Sequence, residues 1–146
     1  MKITIGCDHG ALALKETVKK LLLELGHEVE DVGTHTEASV DYPDIVARVC
    51  ADMTEGRAER GIVLCGTGIG VSIAANKVKG IRCALCGDVY SARMARAHND
   101  ANMLALGGRV TGPGLACEIV RAWMAQDFEG GRHARRVGKI MALEEK

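Results

Sequence analysis

Cys65 closes a short apolar run and opens a turn with three glycines in five positions, Gly66-Thr67-Gly68-Ile69-Gly70, ahead of a helical pattern over 69–78. Glycines at that density let the backbone turn tightly and bring its N–H groups close to a ligand. The first turn of the following helix adds unpaired N–H groups and positive dipole potential. Such a loop suits an anion, either a phosphate or a developing oxyanion. The same potential lowers the pKa of a thiol at the mouth of the loop and makes thiolate available. The combination suits carbanion chemistry as well as phosphate binding. A glycine-rich turn also occurs for packing alone, and a buried cysteine is usually a small hydrophobe. Two nucleotide-binding patterns fail. G-x-G-x-x-G ends on Val71 or Ile73 when counted from Gly66 or Gly68, and no G-x-x-x-x-G-K-[ST] run exists. Asp88 lies about 20 residues after Gly68, the distance of a ribose-binding acid, so a non-catalytic nucleotide-binding module stays open as an alternative.

Other reactive side chains fall beside the ends of predicted strands. Asp8 and His9 follow the first strand. His98, Asn99 and Asp100 precede the fifth strand at the end of a helix, and so by topology lie near the opposite edge of the sheet. A lone histidine there is usually a cap or a surface group; three adjacent polar residues weaken that reading. Their placement is awkward for one chain and simple if a second chain supplies them. Arg132 and Arg136, four apart, share one face of the last helix and could grip a phosphate with paired hydrogen bonds. For an isolated pair, a solvated basic face is the commoner outcome. Arg109, behind Gly107-Gly108, could join a phosphate site. Cys83 and Cys86 have C-x-x-C spacing, but on a strand they face opposite sides of the sheet. No second pair with zinc spacing exists, so no metal site is expected.

These groups need a scaffold, and the 146 residues supply one of ordinary domain size, with 47% apolar residues for a core. Lys and Arg total 19, as do Asp and Glu, so a generic basic nucleic-acid surface is not expected. The N-terminus lacks a signal-peptide pattern, no apolar run approaches a membrane span, and six cysteines fit free thiols. A soluble, cytoplasmic chain is the expectation. Strands are predicted over 2–7, 28–32, 61–65, 81–86 and 102–106. Helices are predicted over 11–25, from Pro43 to about 54, over 69–78 and 89–97, from about 112 to 126, and from 132 to about 143. The alternation predicts a single three-layer α/β/α domain over 1–146 with a five-stranded parallel, Rossmann-like sheet. Its ligands should sit at the carboxyl ends of the strands.

The runs G-C-D-H-G (6–10), D-Y-P-D (41–44), G-I-V-L-C-G-T-G-I-G-V-S-I-A-A-N-K (61–77), H-N-D-A-N (98–102) and E-G-G-R-H-A-R-R-V (129–137) fall in the order of the type B ribose-5-phosphate isomerases. Across its whole length the chain resembles that family, which also includes galactose-6-phosphate and allose-6-phosphate isomerases. The resemblance implies interconversion of ribose 5-phosphate and ribulose 5-phosphate, a step of the pentose phosphate pathway, through an enediolate and without metal or organic cofactor. It puts Cys65 at the catalytic-base position. The amides of Gly66, Gly68, Ile69 and Gly70, with Thr67, take the enediolate oxygen. His98 opens the furanose ring with Asp8 near the same hydroxyls, and His9, Arg109, Arg132 and Arg136 hold the phosphate. Tyr42 and Asn99 complete the sugar pocket. One branch of the family lacks the cysteine and carries a glutamate where this chain has Val71, which cannot take a proton. The family's dimers, with sites between subunits, imply a homodimer here, and some members associate further into tetramers. The hexose 6-phosphates remain the alternative substrates.

Overall fold

A computed structural model describes residues 1–146 and contains one five-stranded sheet. The strands are β1 (Lys2–Cys7), β2 (Glu28–Asp31), β3 (Arg60–Cys65), β4 (Cys83–Leu85) and β5 (Met103–Gly107). They lie in the order β2-β1-β3-β5-β4, and every neighbouring pair is parallel. The helices are α1 (Leu12–Glu24), α2 (Tyr42–Thr54), α3 (Ile69–Ala75), α4 (Val89–Ala97), α5 (Pro113–Ala125) and α6 (Arg132–Ala142). This is the α/β architecture that the alternation predicts.

The central strands are apolar throughout because helices cover both faces of the sheet. Successive side chains of β3 alternate between two cores. Ile62 and Leu64 join Ile3, Ile5, Leu104, Leu106 and the fully buried Trp123 on the face packed by α1, α4 and α5. Val63 and Cys65 join Val46, Val49, Met103 and Ala105 on the face packed by α2 and α3. Cys86 belongs to the first core while Cys83 packs against the second, so this C-x-x-C pair does face opposite sides.

Two elements are shorter than the apolar pattern predicts. The helix expected over 69–78 stops at Ala75, because the next amides tighten onto carbonyls three residues back, Lys77 to Ala74 and Val78 to Ala75. The Asn76 side chain then locks the exit: its Oδ1 accepts from Cys83 N–H at 2.8 Å and its Nδ2 donates to Cys83 C=O at 3.0 Å. The strand expected over 81–86 keeps only Cys83–Leu85, since Ile81 N–H donates to Val78 C=O and Arg82 N–H donates to Asn102 Oδ1. A short edge strand presents little unpaired backbone.

Below β2, the Lys15 ammonium is fully buried and donates to Asp31 Oδ1 at 2.9 Å and to Thr34 C=O at 2.6 Å. Burial works to raise the Asp31 carboxyl, but the hydrogen bonds from Lys15 and the Gly33 amide win and hold it below its ordinary value. The ion pair braces the loop that carries the chain from β2 to Tyr42. Helix α6 is amphipathic, yet only His133 on it is buried, and Ile140 stays about half exposed.

Candidate active site

The sheet order reverses between β1 and β3, where successive connections leave on opposite sides and a crevice opens at the carboxyl ends. β1 delivers Asp8 and His9 there, and β3 delivers Cys65 and its glycine turn. The two turns touch: a Cβ on Gly10 would lie 3.3 Å from the Gly66 nitrogen. β5 closes the other flank. Gly108 N–H donates to Cys65 C=O at 2.8 Å and Arg109 N–H to Gly66 C=O at 2.9 Å. This pairing carries the β3–β5 ladder past the sheet and lays the Arg109 side chain along Gly66.

Within the turn, Cys65 is 6% exposed and its Sγ accepts a hydrogen bond from Gly68 N–H at 3.1 Å. Gly68 has φ +79°, and a Cβ there would stand 2.9 Å from the Leu106 backbone, so only glycine fits. Thr67 is exposed and its Oγ1 accepts from Ile69 N–H at 3.2 Å, which leaves the hydroxyl proton free to point outward. The phenol end of Tyr42 lies against Gly70, where an added Cβ would fall 2.6–2.8 Å from the ring and its oxygen. Asp8 caps the short turn after β1, its Oδ1 accepting from Gly10 N–H at 2.8 Å. His9 Nδ1 accepts from Val40 N–H at 3.3 Å, so Nε2 carries the proton and can donate to an anion. Asp8, His9, Tyr42, Cys65, Gly66, Thr67, Gly68, Ile69, Gly70 and Arg109 therefore gather at one crevice.

His98, Asn99, Arg132 and Arg136 do not. Helix α4 runs back from the carboxyl end, and His98 caps its C-terminus below the start of β5. Cys65 pairs with Gly107 and Gly61 with Met103, so the two ends of that ladder are separated by about 13 Å along the strand. The largest cavity, 780 Å³, lies under α6 between α3 and β4; it touches Asn99 but none of Asp8, Cys65 or Thr67.

At this second location the structure brings in two residues that the sequence reading passed over, Glu129 and His133. The His98 and His133 rings stack with centroids 4.1 Å apart. Glu129 Oε1 stands 3.7 Å from His98 Nε2 and 3.6 Å from His133 Nε2. Burial, then the charges of His98 and Arg132, push the His133 imidazole below its ordinary pKa, and Arg136 adds to the shift. Both residues lie in the run 129–137, where the i,i+4 spacing of a carboxylate and a histidine was the available signal.

Two acidic groups are consumed by structure. Asp88 caps α4, accepting from Ser91 N–H and Ser91 Oγ at 2.7 Å each, so it is not poised for a ribose and the nucleotide-module reading loses its acid. Asp100 takes φ +47°, and its carboxylate accepts from Arg96 at 2.9 Å while its carbonyl accepts from Arg82 at 2.9 Å. Of the polar run 98–100, the His98 and Asn99 side chains are left for chemistry.

The chain is similar to known proteins along nearly its whole length. A family model described as Ribose/Galactose Isomerase matches residues 3–140. Ribose-5-phosphate isomerase B of Escherichia coli is 47% identical, with 99% of this chain and 97% of that one covered. A D-erythrulose-4-phosphate isomerase of Pectobacterium atrosepticum is also 47% identical, over 96% of this chain and 93% of the relative. A solved ribose-5-phosphate isomerase B of Clostridium thermocellum superposes with a TM-score of 0.98 at 56% identity, over 99% of this chain and 98% of that one.

Proposed function

The chain belongs to the ribose/galactose isomerase family and is a sugar-phosphate isomerase; from that premise we infer that it interconverts ribose 5-phosphate and ribulose 5-phosphate. The observation that carries the chemistry is the Cys65 thiol at the switch point, with Gly68 N–H on its sulfur at 3.1 Å. As thiolate, Cys65 takes the proton from C2 of the open-chain aldose, and the electron pair moves through C1 onto the carbonyl oxygen. The resulting enediolate collapses to the ketose when the same proton returns to C1 and the C2 hydroxyl proton passes to the C1 oxygen. Nothing is oxidised or reduced overall.

The Gly66–Gly70 amides and the Thr67 hydroxyl stabilise the enediolate oxygen, the type of interaction that typically supplies the largest share of such a barrier reduction. Asp8, next to the turn, handles the neighbouring hydroxyls. Arg109 and His9 Nε2–H bind phosphate from this chain. Tyr42, packed against Gly70, walls the sugar. His98, Asn99, Arg132 and Arg136 come from a second copy in a homodimer whose two sites each use both chains. There His98 moves a proton between the anomeric hydroxyl and the ring oxygen to open the furanose. The support for sharing is the separation of the two clusters across the sheet.

The substrate is tested by steady-state turnover of ribose 5-phosphate, allose 6-phosphate, galactose 6-phosphate and erythrulose 4-phosphate on one preparation. The pentose should have the highest kcat/KM. A higher value for any of the others would reassign the substrate while leaving the isomerase chemistry in place.

A further inference from the structure

Three metal-binding side chains meet beneath β5, outside the Cys65 crevice. Glu129 N–H donates to Ala97 C=O at 3.0 Å, which fastens this segment to the end of α4. Gly130 and Gly131, at φ +68° and +57°, then reverse the chain into α6 so that His133 lies under His98. One ligand atom from each of His98, Glu129 and His133 falls within 4.8 Å of the other two. The contacts of 3.6 and 3.7 Å to Glu129 are too long for hydrogen bonds. His133 is only 6% exposed, and its Nε2 is buried with no hydrogen-bond partner at all. A buried polar atom left in that state is costly and needs an explanation.

A tetrahedral ion explains it. Bonds of about 2.0–2.1 Å place neighbouring donor atoms roughly 3.3–3.5 Å apart, so both Glu129 contacts need to close by only a little. Two imidazoles and one carboxylate match the three-protein-ligand sets that leave a fourth position open. The rings now stack with planes 8° apart, so no single ion lies in the plane of both. Converging on one ion requires His98 to turn, and its side chain is 38% exposed and has room to do so. Arg132 and Arg136 stand near enough to repel a cation. Imidazole donors offset that repulsion for a borderline transition metal but not for Mg²⁺ or Ca²⁺, which prefer all-oxygen sites.

We propose that His98, Glu129 and His133 form a binding site for a divalent transition-metal ion of the Zn²⁺ type, and that its occupation withdraws His98 from proton transfer. The site stands on geometry alone; only the inhibitory consequence rests on the isomerase reading.

Co²⁺ is the probe, because its d–d bands report coordination. Titration of the whole protein should give saturable four-coordinate bands at one ion per chain, without thiolate-to-cobalt charge transfer. Glu129→Gln and His133→Asn should each weaken binding about tenfold or more, with circular dichroism showing the fold retained. Should His133→Asn fail to fold, Glu129→Gln at the half-exposed carboxylate decides alone. No bands, charge-transfer bands from a cysteine, or binding untouched by the substitutions would overturn the site. Saturating Co²⁺ should also cut ribose 5-phosphate turnover about tenfold, with recovery on EDTA. Bound metal with undiminished turnover would overturn the inhibitory consequence. Absent turnover in metal-free protein would count against the isomerase reading and leave the spectroscopic result standing.

Discussion

The two ends of the sheet hold reactive groups in different ways. At the carboxyl end, the backbone does the positioning. Gly68 fits against Leu106, Gly70 against Tyr42 and Gly66 against Arg109, so Cys65 is held by close-packed main chain with little freedom. At the amino end, side chains do it. His98 stacks on His133 and faces Glu129, and the group depends on one backbone tie between Glu129 and Ala97. A rigid backbone loop suits the step that needs fixed dipoles at a developing charge. An adjustable histidine suits proton exchange with a ring that must open and leave.

The largest effect should come from the rigid end. Cys65→Ala removes the base and should lower turnover by about 10²–10⁴-fold, with the melting temperature close to wild type and phosphate-ligand binding retained. Turnover near wild type would show that the glycine turn works without its thiol, and the proposed division of labour would fail. At the adjustable end, His98→Asn should cost about 10²-fold on cyclic ribose 5-phosphate and much less on an open-chain analogue. Equal losses on both would make His98 part of the carbon chemistry and erase the distinction between the two ends. Arg136→Ala should act on binding. Loss of a charge-assisted phosphate contact worth about 1.5–3 kcal/mol should raise KM by tenfold or more with kcat little changed. An unchanged KM would return this arginine to a solvated basic face.

The same contrast explains what could be read from the sequence. The carboxyl-end cluster is local: a strand over 61–65 and a turn with three glycines within 66–70 specify it, and the parallel order brings Asp8 beside it. The alternation of strands and helices was equally legible because burial on both faces of β3 and β5 leaves an unbroken apolar run. The apolar period overextends helix α3 because it continues to Val78, whereas the Asn76 side chain at its end bonds a strand seven residues on. Asp88 invited a ribose-binding role because spacing says nothing of the Ser91 amide that occupies it. The pairing of His98 with Glu129 and His133 spans more than thirty residues and rests on tertiary placement. No periodicity encodes such a contact.

The smallest effect is the one that decides whether the two ends cooperate across chains. If each site takes Cys65 from one copy and His98 from another, inactive Cys65→Ala chains mixed with inactive His98→Asn chains should regain activity after subunit exchange. A mixed dimer then holds one site with both defects and one with neither. Random equal mixing makes about half the dimers mixed, so activity should approach roughly a quarter of wild type for two-chain symmetric association. If both groups instead served one site within a single chain, every site in the mixture would carry a defect and no activity would return. Exchange must be verified independently, for example by mass spectrometry of differently tagged copies. Zero recovery after verified exchange would require Cys65 and His98 to meet within one chain, across the roughly 13 Å that separates the two ends of the β3–β5 ladder, and the shared-site reading would be abandoned.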